Sequence, residues 1–138
     1  MRFSTKANKF LERNKDFDKY KITGQMRRFV KIKNDGELWF TKPNFTRKLK
    51  IINDTVGTIT TSQNRIPNSG FVPYQDSYRI LTEIECLRFM GFSENSIKIL
   101  IDTHKPRKNN KVGILYKQAG NSIVVQILES IIKIIKNS

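Results

Sequence analysis

Arg79-Ile80-Leu81-Thr82-Glu83-Ile84-Glu85-Cys86-Leu87-Arg88-Phe89-Met90-Gly91-Phe92 is the stretch whose reading decides the fold. Thr82 and Glu85 have the spacing of a capping box. The Thr hydroxyl can accept from the amide three residues on, while Glu85 reaches back to the Thr82 amide. Ile84, Leu87 and Met90 then share one face of a helix, and Gly91 is a natural stop. Cys86 lies inside this helix between Glu85 and Leu87, where it reads as a buried structural thiol rather than a nucleophile.

Downstream of this point the pattern stays helical. Ser93 can cap a short helix containing Ile97, Ile99 and Leu100. Lys105 to Lys111 has no apolar periodicity and is expected to be an exposed loop. The chain ends in a predicted helix with a stripe of Val124, Ile127, Leu128, Ile131 and Ile135, for which Ser122 is a candidate N-cap.

Upstream the period shortens to two. Arg28 to Lys33 alternates, Asn34-Asp35-Gly36 is a turn, and Glu37 to Phe40 follows as a second strand ended by Pro43. Lys48–Ile52 and Val56–Thr61 read as further strands, and Ser62 to Gly70 as a loop. Ala7, Phe10, Leu11 and Phe17 are spaced as in a short amphipathic helix within residues 5–20. Strands first and helices last make a small α+β architecture.

The 138 residues suit one modest core. Twenty-six Lys and Arg against 12 Asp and Glu give a net charge of +14, a match for phosphate backbones. Residues 1–50 hold fifteen of these cations and five acids, or +10. Aromatic residues interleave with the charges at Arg28-Phe29, Trp39 to Lys42 and Asn44 to Arg47. An AT-rich genome would also enrich Lys, Asn and Ile, so charge alone leaves nucleic-acid binding open.

No apolar run reaches the roughly 20 residues of a membrane span, and Met1 to Lys6 lack the apolar core of a signal peptide. The expectation is a soluble cytoplasmic protein without membrane attachment. One cysteine excludes an internal disulfide. His104 is the only histidine, so no His-based metal site or catalytic dyad is expected. These observations stop at a basic α+β domain suited to nucleic acid.

Two segments carry a resemblance. Arg79 to Phe92 resembles motif IX of the cytosine-5 DNA methyltransferases, approximately R-x-L-T-x-x-E-x-x-R-L-x-G-F-P, with Ser93 in the place of the Pro. Tyr116-Lys117-Gln118-Ala119-Gly120-Asn121-Ser122-Ile123-Val124-Val125 resembles their motif X, Y-x-Q-x-G-N-S-V. Both stand in the family's order and near its C-terminal end. Asp18 to Thr23 is similar to an element that follows motif VIII, and Gly57 to Thr61 to a segment inside the target-recognition domain. The similarity is specific at motifs IX and X and weak across residues 24–75.

The resemblance implies three regions: a helical linker at 1–23, a small twisted β-rich target-recognition subdomain at 24–78, and a helical region at 79–138 carrying motifs IX and X. The C-terminal helices would pack on a Rossmann-like methyltransferase domain. The family's F-x-G-x-G, P-C-Q, E-N-V and Q-x-R-x-R motifs do not occur here. The resemblance is therefore to the C-terminal portion of an enzyme, with the catalytic Cys outside this chain. Met1 falls near the point where two-chain members divide.

By the same carry-over, the family's chemistry is attack of a Cys thiolate on a flipped cytosine, with methyl transfer from S-adenosylmethionine. Asn121 and Ser122 match the motif X pair that contacts this cofactor. Their place before a helix would offer free amides and positive potential to an anionic group. Thr60 matches the recognition-segment Thr, and Gln63, Asn64 and Arg65 follow in the reading loop. Arg47 and Lys48, with Lys42 and Asn44, are candidates for the preceding loop. Taken singly, each such side chain also fits an ordinary solvated loop.

The implied partners are double-stranded DNA and an N-terminal methyltransferase chain carrying the nucleophile, with no metal. Two other readings stay open: a stand-alone basic nucleic-acid-binding module, and an inactive remnant of a restriction–modification methyltransferase.

Overall fold

The computed structural model describes residues 5–22, 28–53, 55–63, 65, 68–104 and 114–138. The chain is α+β, with two small antiparallel sheets followed by helices. Helix α1 is Thr5–Asn8. A three-stranded sheet follows in the order β1 (Val30–Ile32), β2 (Leu38–Lys42), β3 (Phe45–Lys48). Phe40 lies opposite both Val30 and Arg47, and Lys42 opposite Phe45. A hairpin of β4 (Phe71–Tyr74) and β5 (Ser77–Ile80) forms the second sheet. Then come α2 (Glu83–Phe89), α3 (Glu94–Thr103), α4 (Ile114–Asn121) and α5 (Val125–Lys136).

Several expectations are corrected. Residues 5–20 do not form one helix: α1 stops at Asn8, Asn14 takes a left-handed φ of 55°, and a single 3₁₀ turn spans Asp18–Tyr20. Ala7, Leu11, Phe17 and Tyr20 are buried because this segment wraps the core, not because it is helical. Lys48–Ile52 is not a strand. Lys48 closes β3, and only Ile51 bridges onward, parallel to Phe71. Val56–Thr61 is irregular, and the Gly57 amide donates to the Ser69 carbonyl (2.7 Å).

The β4–β5 hairpin lies in a stretch with no clear strand signal. Pro73 cannot donate to a ladder, and the turn at Gln75 is left-handed without glycine (φ 54°). Bridges on both sides make up for its size: Lys21 pairs with Arg79 and Ile51 with Phe71. Lys105 to Lys111, expected as a loop, lies outside the described residues.

One apolar core runs from Ala7 to Ala119 and joins Phe17, Tyr20, Leu38, Ile52, Ile59, Phe71, Leu81, Leu87 and Tyr116. Helix α5 contributes none of its residues to that core. Its first amide, on Val125, donates to the Met90 carbonyl (3.0 Å), which anchors its start to the end of α2. Beyond that point Ile127, Leu128, Ile131, Ile132, Ile134 and Ile135 are all exposed. No helix among the described residues is long and apolar enough to cross a membrane.

Candidate functional site

The capping box at Thr82 is present. The Glu85 amide donates to the Thr82 hydroxyl (3.1 Å) and the Thr82 amide to the Glu85 carboxylate (2.9 Å). That carboxylate is fully buried and meets more than the cap. Arg79 grips it with two bonds of 2.8 and 2.9 Å, and the Glu12 amide adds a third donor at 3.0 Å. The Arg79 guanidinium lies 4.0 Å from the centre of the Phe17 ring. A buried charge pair is tolerable when every lone pair finds a donor, as here. Arg79, Thr82 and Glu85 therefore join β5, α2 and the N-terminal segment into one polar hub.

Tyr116 on α4 donates to the Leu81 carbonyl (2.6 Å), so the second motif packs directly on the first. Burial pushes the Tyr116 hydroxyl well above the usual tyrosine range. Cys86 is fully buried on the inner face of α2. Its thiol is also held well above its usual value, first by burial and then by the charges of Glu85 and Glu83. A thiol in that environment stays protonated and is a poor nucleophile.

Asn121 and Ser122 occupy a break between two helices. Asn121 is the last residue of α4 and is exposed, while Ser122 follows it. The Ser122 hydroxyl donates back to the Ala119 carbonyl (2.8 Å), closing α4 at its C-terminal, partially negative end. Ser122 is thus not the cap of the next helix; Val124 holds that position, with no side-chain cap bond. The expectation of a helix N-terminus directly behind this pair is corrected accordingly. One turn earlier, Gln118 approaches His104 (3.3 Å) and leaves its Oε1 buried without a partner among the described residues. An exposed amide, a hydroxyl and an unmet acceptor suit ribose hydroxyls and an amino-acid head group, which offer both donors and acceptors.

In the loop after Thr60, Gln63 is not an exposed reader. It is fully buried, and its amide nitrogen donates to the Thr60 carbonyl (3.1 Å) and hydroxyl (3.3 Å). Its Oε1 accepts from the Ser69 hydroxyl (2.6 Å) and amide (3.3 Å). Asn68 donates to the Gln63 carbonyl (3.0 Å). Gln63 is the clasp that ties Thr60 to Ser69, and a side chain spent in this way has no donor or acceptor left for a base edge. Arg65 projects from the clasped loop and is exposed; Asn64 lies outside the described residues.

The clasped loop sits on the motif X helix. A Cβ built on Gly120 would lie 2.4 Å from the Thr61 amide nitrogen and 2.5 Å from the Thr60 carbonyl carbon. Only a glycine lets the two backbones approach so closely. Gly120 and the Gln63–Ser69 clasp escaped the sequence reading; a glycine inside the last turn of a helix was the available signal. Thr60 and Asn121, widely separated in sequence, are thereby neighbours of the same residue.

Arg47 and Lys48 are apart from this cluster, on the exposed edge strand β3. Lys48 is paired with Glu37 (2.6 Å). Bonds from Lys48 and Trp39 hold the Glu37 carboxyl below its usual value, and the same contact raises Lys48.

A family model described as C-5 cytosine-specific DNA methylase matches residues 2–137. No curated protein matches the chain.

Proposed function

We propose, for a chain that belongs to the C-5 cytosine-specific DNA methylase family, that it supplies target recognition and part of the cofactor pocket to a DNA (cytosine-5) methyltransferase whose nucleophile lies elsewhere. Family membership implies methyl transfer to DNA with S-adenosylmethionine as the methyl source. The chemistry needs a Cys thiolate at a flipped cytosine. The observation that carries the reading is Cys86: the only cysteine in the sequence is fully buried, with its thiol held protonated.

On this reading residues 24–78 select DNA. Thr60 and Arg65 touch it from the clasped loop, Arg47 from the sheet edge, and Gln63 fixes the loop's shape. Residues 79–138 form the base on which that loop rests and carry the cofactor-contacting Asn121 and Ser122. The exposed isoleucines of α5 supply a face for the catalytic domain or a separate chain bearing P-C-Q; an apolar stripe of this extent is an interaction surface. The enzyme would act in the cytoplasm.

The test uses the chain assembled with its catalytic portion. Cys86→Ser should leave methylation of bisulfite-probed DNA intact, while Asn121→Ala should weaken S-adenosylmethionine binding. Loss of methylation in a folded Cys86→Ser enzyme would overturn the reading.

A further inference from the structure

We propose that Phe45, at the free end of the β2–β3 ribbon, is a specificity residue that packs against a thymine methyl group in the major groove. The inference rests on the DNA-binding reading above. Strand β1 pairs only with residues 38–40 of β2, so beyond Phe40 the sheet narrows to two strands. Leu38 is fully buried, Trp39 and Phe40 are partly so, and Thr41 to Lys48 are all exposed. The ribbon therefore leaves the core. At about 3.3 Å per residue, the four steps from Leu38 to Lys42 carry it roughly 13 Å outward. A two-stranded ribbon fits the major groove, which is about 12 Å wide.

The charge matches that occupant. Between Leu38 and Ile52 there are four cations (Lys42, Arg47, Lys48 and Lys50) and no acid. Glu37 engages Lys48, and Lys50 donates to the Thr55 hydroxyl (2.9 Å). Lys42 and Arg47 have no ion-pair partner among the described residues and are the cations offered to phosphates.

One face of the ribbon is aromatic. Cross-strand register puts Phe40, Lys42, Phe45 and Arg47 on the same side. Phe29, Phe40 and Phe45 form a chain of rings with centroids 5.8 and 6.2 Å apart, and Lys42 stands over the first two. Phe45 ends this chain beside the Pro43–Asn44 turn and is 53% exposed. The opposite face pairs Thr41 with Thr46. An exposed Phe between two cations is placed to make an apolar contact inside a charged groove, and the thymine methyl is the apolar group that the major groove displays.

The experiment measures binding of the full chain to a short A·T-rich duplex and to the same duplex with uracil in place of thymine. Wild-type protein should prefer the thymine duplex by about fourfold, the value of one buried methyl-sized group. Phe45→Ala should lose this preference and keep its melting temperature. Lys42→Gln with Arg47→Gln should flatten the slope of log affinity against log salt by about 1.8, or roughly 0.9 per phosphate contact. Equal wild-type affinity for the two duplexes, which needs no variant, overturns the proposal, as does an unchanged slope in the double variant. Failure of the methyltransferase reading is a separate result: the assembled enzyme would not modify cytosine, while the ribbon's thymine preference persisted.

Discussion

Replacing Gly120 by Ala sets two physical effects against each other. Alanine is the better residue inside a helix by about 1 kcal/mol, so helix propensity alone would stabilise α4. The structure points the other way. The new Cβ would meet the Thr61 nitrogen at 2.4 Å, the Thr60 carbonyl carbon at 2.5 Å and the Thr61 Cα at 2.8 Å. All three are backbone atoms, so no rotamer change relieves the contact, and ordinary separations of about 3.5 Å require roughly 1 Å of displacement. Overpacking of this kind costs about 1–3 kcal/mol, and the upper end applies where two main chains must part. The net expectation is a loss of about 2 kcal/mol, or roughly 6 °C in Tm for a chain of this size. Urea unfolding followed through Trp39, the only tryptophan, reads it directly. Amide exchange at Ser69, whose N–H is held by the Gln63 clasp, should accelerate as the loop is lifted. A Gly120→Ala chain as stable as the wild type, or more so, would refute the close-approach reasoning.

Glu85→Ala should cost about 3–5 kcal/mol, because it leaves the buried Arg79 charge without a partner; thermal melting followed by circular dichroism measures it. The paired change Arg79→Met with Glu85→Leu should be milder than Glu85→Ala, and an equal or greater loss would mean that packing rather than charge dominates. Tyr20 and Tyr116 both have hydroxyls raised above the normal tyrosine value, each chiefly by burial. The unfolded chain ionises first, near pH 10, so stability from these groups is complete below that pH and falls as pH rises further. Tyrosinate absorbance from the two should therefore appear together with unfolding; ionisation within a still-folded chain would contradict this.

The second half of the fold was legible because its signals are local. The Thr82–Glu85 capping box and the Ser93 cap each depend on a hydroxyl and an amide three residues apart, and both are present. The first two strands were readable from alternation around Asn34-Asp35-Gly36, and they pair as expected. Helix α4 was not read, since Gly120 and Asn121 look like its interruption when they are its last turn. In sequence Gln63 has the features of a base-reading residue, because polar loop residues resemble one another. Its burial depends on Ser69 returning to meet it, a contact that only the folded loop creates. The buried Arg79–Glu85 pair likewise draws a donor from Glu12, a non-local partner that no spacing rule encodes.

The central claim is tested most directly by incubating the purified chain with labelled S-adenosylmethionine and DNA, alone and with a catalytic portion bearing the P-C-Q cysteine. No label should enter DNA with the chain alone, and 5-methylcytosine should appear on mixing. Methyl transfer by the chain alone would contradict the account, because its one thiol, on Cys86, is buried and protonated.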